Sequence, residues 1–85
     1  MLPEDAAAEL CRQLNASPQL VSASIDAECP ARKMVVVSRR GSVLGIWLVR
    51  TEQFDWVPGG YSEPVYRANS VKEAAAYTMT TLGNR

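Results

Sequence analysis

Residues 33–51, KMVVVSRRGSVLGIWLVRT, restrict the fold more than any other stretch. Val35, Val36 and Val37, then Val43, Ile46, Trp47 and Val49, are β-branched or aromatic types that pack well on a pleated surface and lose rotamer freedom in a helix. Between the two runs lie Arg39, Arg40, Gly41 and Ser42, with one glycine to supply the positive φ a reversal needs. The pattern predicts a β-hairpin closed by a loop of four or five residues. Alternation in the second strand sends Leu44, Ile46 and Leu48 one way and Val43, Gly45, Trp47 and Val49 the other. The first set is expected beneath helices. The second, with Val35 and Val37, is expected on the reverse face, where Trp47 needs a cover or a partner. Gly45 in mid-strand marks a bulge or a close approach by another group.

The flanking segments supply that cover. Pro3, Glu4 and Asp5 open a helix running to about Asn15, with Ala7, Leu10, Cys11 and Leu14 as its apolar stripe. Pro18 ends it. Residues 20–27 alternate and are expected to form an edge strand with a polar outer face. Pro30 interrupts the ladder before the hairpin. After Thr51 the period is lost. Pro58-Gly59-Gly60 is a turn, Trp56-Val57 fits the end of a strand, and Val65-Tyr66-Arg67 could begin another, so residues 61–67 leave the count at three strands or four. Ser70 and Glu73 form an S-x-x-E capping box that opens a last helix. Its stripe is Val71, Ala75, Thr78 and Leu82, flanked by Ala74 and Met79, with Gly83 placed to end it. The expected fold is α+β: a single domain over residues 1–85, a two-layer sandwich with an antiparallel sheet of three or four strands and both terminal helices on one face. Alanines 6–8 and 74–76 would allow close approach between the layers.

Eighty-five residues lie near the lower limit for one unstapled core, and a 47% hydrophobic share suits a folded chain. The start MLPEDAAAELC lacks the basic and apolar regions of a secretory signal, and no run is long enough to span a bilayer. A soluble cytoplasmic protein without membrane attachment is expected, and in a reducing compartment Cys11 and Cys29 are expected as thiols. There is no histidine, which removes the commonest general base and metal ligand together. Two cysteines with seventeen residues between them make no zinc site, and no phosphate-cradling glycine motif is present. Asp55 and Glu63 are carboxylates with nothing to fix their separation. The residues point to no catalytic set, no metal and no cofactor.

A binding role is the expectation that remains. Phe54, Trp56, Tyr61 and Tyr66 fall within thirteen positions, and with Trp47 they are candidates for a protein-binding surface that takes a protein partner or a second copy as a homo-oligomer. Large rings folded over an open end of the core are the plainer explanation of the same pattern. Formal charge is zero, but basic residues gather on the hairpin. Arg32, Lys33, Arg39, Arg40, Arg50 and Arg67 are the alternative candidates, for nucleic acid. The order helix, three antiparallel strands, helix resembles that of double-stranded-RNA-binding domains. Ser70-Val71-Lys72-Glu73-Ala74-Ala75-Ala76 resembles the start of that family's second helix, with one lysine where the family has a cluster to meet phosphates.

Overall fold

The computed structural model describes residues 2–16, 21–26 and 33–81. Helix α1 (Pro3–Asn15) is followed by strands β1 (Ser22–Asp26), β2 (Lys33–Arg39), β3 (Ser42–Arg50), β4 (Gln53–Pro58) and β5 (Tyr66–Ala68), then helix α2 (Val71–Thr81). The strands form one antiparallel meander in chain order, β1-β2-β3-β4-β5. The sheet thus has five strands, one more than the upper expectation, because both Trp56-Val57 and Tyr66-Arg67 are extended. Both helices share one core with the sheet and lie on the same face.

Local chemistry accounts for the ends. Glu4 and Asp5 occupy the first turn of α1 and Arg12 the last, each matched to the helix dipole. At α2 the Ser70 half of the capping box forms, with the Glu73 N–H donating to Ser70 Oγ at 3.1 Å, while the Glu73 carboxylate reaches one residue further back and accepts the Asn69 N–H at 2.9 Å. The β2–β3 hairpin is tighter than its composition suggests, a two-residue turn closed by the Arg39–Ser42 pair instead of a loop of four or five. Arg40 (φ 51°) and Gly41 (φ 83°) both adopt positive φ, the requirement of a type I′ turn, and Arg40 bears it at a cost of about 1 kcal/mol.

The two faces of the hairpin are reversed from the expectation. Val35, Val37, Trp47 and Val49 lie against the helices and are buried, while Ile46 and Leu48 are half-buried on the opposite face. The reason is volume. Three of the six buried helix residues, Ala6, Ala7 and Ala74, are alanines beside Leu10, Leu14 and Thr78, so the sheet supplies most of the large side chains that fill the layer. Trp47, Trp56 and Phe54 fill it, arranged as the cross-strand row Val35–Trp47–Trp56–Tyr66 and the row Val49–Phe54–Ala68.

Leu44 stays on the helix side, against the core, because the β2–β3 register shifts between Val37 and Ser38. This bulge separates Leu44 from the parity of Ile46 and Leu48. Gly45 beside it answers to a close approach: a Cβ there would stand 2.6 Å from two ring carbons of Trp56 and 2.7 Å from the Val57 carbonyl oxygen. The carbonyl belongs to the neighbouring strand and cannot yield. Gly45→Ala is therefore expected to lower unfolding stability by about 2 kcal/mol or more in urea denaturation. A loss within experimental error would refute the packing of Trp56 over this position.

Candidate functional site

The sheet face without helices carries two cross-strand rows. One is Ser24–Val36–Ile46–Val57 and the other runs Met34–Leu48–Asp55–Arg67. Met34, Val36, Ile46, Leu48 and Val57 make a contiguous apolar centre across β2, β3 and β4. No second layer of described residues covers it. Its rims are polar. Ser22 and Ser24 are exposed on β1, and on the far side Asp55 is 3% exposed yet fully engaged. Arg67 Nε donates to Asp55 Oδ1 at 3.1 Å, and Gln53 Nε2 donates to Asp55 Oδ2 at 3.1 Å. A carboxylate so held is a structural ion pair, and Glu63 lies exposed on the β4–β5 loop.

The edge of the sheet is blocked beside this face. The Asn15 carboxamide donates from Nδ2 to the Ala23 carbonyl and accepts the Ala23 N–H at its Oδ1, both at 2.9 Å. One side chain thus occupies the hydrogen-bonding groups that Ala23 turns away from β2, which is how a further strand would have bound there. β5, at the other edge, is three residues long.

The aromatic candidates divide sharply. Trp47, Phe54 and Trp56 belong to the core, each at most 2% exposed, so none is available as a contact surface. Trp47 donates from its indole N–H to Thr78 Oγ1 at 2.9 Å, and the Thr78 hydroxyl donates to the Ala74 carbonyl at 2.8 Å. Tyr66 is half-buried, stacked on Tyr77 with centroids 3.9 Å apart, and its hydroxyl donates to Glu73 Oε1 at 3.0 Å. That hydrogen bond raises the Tyr66 pKa above its ordinary value, with burial and the nearby charge of Glu73 adding to the effect. Tyr61 is the exposed member, at 64%. Plain core packing thus accounts for most of the rings. Thr78 was the overlooked signal: a hydroxyl on an otherwise apolar helical stripe requires a buried partner.

The basic candidates are dispersed. Lys33 begins β2 and Arg39 ends it, about 20 Å apart at ~3.3 Å per residue. Arg50 lies at the Lys33 end, Arg40 at the hairpin tip, and Arg67 is paired with Asp55. Arg32 lies outside the described residues, as does Cys29. Burial raises the pKa of the half-buried Cys11 thiol, away from the reactive thiolate.

A cleft of about 420 Å³ separates α1 from the start of α2, floored by Phe54. Of its charged groups, Glu9 is already engaged by Arg12 and Gln13, and Arg12 above all draws its carboxyl down to about 2. No group of three potential metal ligands occurs among the described residues, and no helix there is long and apolar enough to cross a membrane. Comparison with protein-family models, curated proteins and solved structures gives no match. The likeness to double-stranded-RNA-binding domains stops at the terminal helices, since five strands stand between them here.

Two measurements check this geometry. Thr78→Val keeps the shape but leaves the Trp47 N–H unpartnered in the core, so a loss of about 1–3 kcal/mol is expected, with Thr78→Ser much milder. Equal losses from both would refute the hydrogen bond. The folded Tyr66 phenol keeps its proton to higher pH than the unfolded one, so its contribution is whole below about 10 and is lost as pH rises through the elevated value. Tyr66→Phe should remove that alkaline slope from the pH profile of unfolding stability.

Proposed function

We propose that this protein is a non-enzymatic binding module whose contact surface is the sheet face opposite the helices, taking a partner protein or a second copy of itself. One observation carries the reading: the apolar centre Met34, Val36, Ile46, Leu48 and Val57 spans three strands, with no layer of described residues above it. An apolar centre bounded by polar rims is the usual anatomy of a protein contact. The blocked edge at Ala23 supports the same reading, because it disfavours association by strand addition and leaves the face as the available surface. Zero net charge does not oppose self-association. The nucleic-acid alternative draws less support, since its basic residues are spread over both ends of the sheet and one of them is neutralised by Asp55.

The test places a photo-crosslinking residue at Val36, with Ala8 on the exposed side of α1 as control. Irradiation in cells expressing the full chain is expected to give one discrete adduct at position 36, of twice the chain's mass for self-association or of another fixed mass for a partner. Ile46→Lys should abolish that adduct while changing unfolding stability by no more than about 1 kcal/mol. Equal or absent adducts at positions 36 and 8 would refute the reading.

A further inference from the structure

The β3 bulge does more than seat Leu44 in the core. Strict alternation would send Val43 to the helix side with Trp47, but the shift between Val37 and Ser38 pairs Val43 with Ser38 and turns it to the sheet face without helices. There it is 58% exposed, so its own chain leaves more than half of it uncovered.

Its position completes a symmetric pattern. On this face of β3, Leu48, Ile46 and Val43 stand opposite Met34, Val36 and Ser38. Those β2 positions are evenly spaced by two residues, about 7 Å, so Leu48 and Val43 lie at equal distances on either side of Ile46. Ile46 in turn belongs to the row Ser24–Val36–Ile46–Val57, which crosses the sheet. A two-fold axis laid along that row exchanges the flanks. Leu48 of one copy then meets Val43 of the other, while Val36, Ile46 and Val57 each meet their own counterparts. Asp55 and Arg67, in the row beyond, are already paired with each other and bring no uncompensated charge to the contact.

Shape and area fit a second copy as well. A sheet twists with a fixed hand, and the surface that follows it closely is another sheet of the same twist, stacked about 10 Å away and rotated by roughly 30°. Strands of five, seven, nine, six and three residues, at about 16 Å² of sheet per residue, give a face of roughly 500 Å² in projection. Two such faces bury roughly 1,000 Å², the threshold for a specific contact between proteins.

We infer that the occupant of this face is a second copy of the chain, related by a two-fold axis through Ile46, in a dimer layered helix–sheet–sheet–helix. This dimer rests on the sheet-face reading above and narrows it to self-association in one register. A contact of this kind uses one patch twice, so each pairing away from the axis, Leu48 with Val43 above all, occurs twice.

The register makes the test specific to a second copy. Sedimentation equilibrium of the full chain is expected to give twice the chain's mass, falling to the single mass on dilution. Val43→Lys and Leu48→Glu should each weaken the dimer by roughly tenfold or more. Val43→Lys, at an exposed site, is expected to keep the parent circular dichroism, so its loss reports the contact and not the fold. Within one chain positions 43 and 48 are about 14 Å apart, too far for an ion pair, but across the axis they adjoin. The double variant Val43→Lys/Leu48→Glu should therefore dimerise more tightly than either single variant, by about threefold or more. Ala8→Lys, on the exposed side of α1, should have no effect. A chain that stays monomeric to millimolar concentration would overturn the inference, as would a dimer that neither Val43→Lys nor Ile46→Lys weakens, or a double variant weaker than both singles. In each of these cases a discrete adduct of another mass at position 36 keeps the broader sheet-face reading, and its absence removes that as well.

Discussion

The hydrogen bond from the Trp47 indole to Thr78 Oγ1 is the contact on which this architecture turns. It fixes the largest side chain of the central strand beneath the middle of α2. From there the ring contacts spread: Trp56 lies tilted against Trp47 with centroids 5.2 Å apart, and Tyr66 and Tyr77 approach it edge-on at 6.4 and 5.9 Å. Each such pair adds about 0.5–1.5 kcal/mol beyond its buried area. In a domain this small, where the surface-to-volume ratio leaves little core to spare, Trp47 and the three rings packed against it tie β3, β4, β5 and α2 into a single unit.

The hydroxyl is matched on both sides. Thr78 receives the indole proton and passes its own to the Ala74 carbonyl, a bond within the helix that this residue type makes readily. The chain of donors ends on a backbone carbonyl that already serves α2. The core therefore contains a polar group without an unsatisfied one, consistent with the absence of unpartnered buried side-chain polar atoms among the described residues.

Much of this was legible from residue types. The α1 boundaries, the extended hairpin, the edge position of β1 and the Ser70–Glu73 cap follow from patterns that act over a few residues. The side on which Trp47 falls did not. Both faces of β3 are apolar, so alternation alone gives two equivalent solutions, and the choice depends on what the helices bring from distant parts of the chain. Alanine-rich stripes call for large residues opposite, and Thr78 calls for a donor; together they select the face that carries Trp47, Phe54 and Trp56. The short turn was hidden for a related reason. Arginine is a poor residue for positive φ, so nothing in Arg39-Arg40-Gly41-Ser42 announces a type I′ geometry until the strand register is known.

The same choice determines which surfaces remain for binding. Once the rings are drawn inward, the reverse face is left with the apolar centre Met34, Val36, Ile46, Leu48 and Val57 and the Asp55–Arg67 pair at its rim, and Asn15 caps Ala23 at the sheet edge. The ring that escapes burial, Tyr61, does so because Pro58, Gly59 and Gly60 turn the chain outward before it can reach the core. One packing decision thus produces two surfaces of different character: a broad face with an apolar centre and polar rims, and a narrow cleft lined by Leu44, Trp56, Tyr61 and Tyr77. The first suits a wide, shape-matched contact. A change confined to either surface leaves the other's side chains untouched.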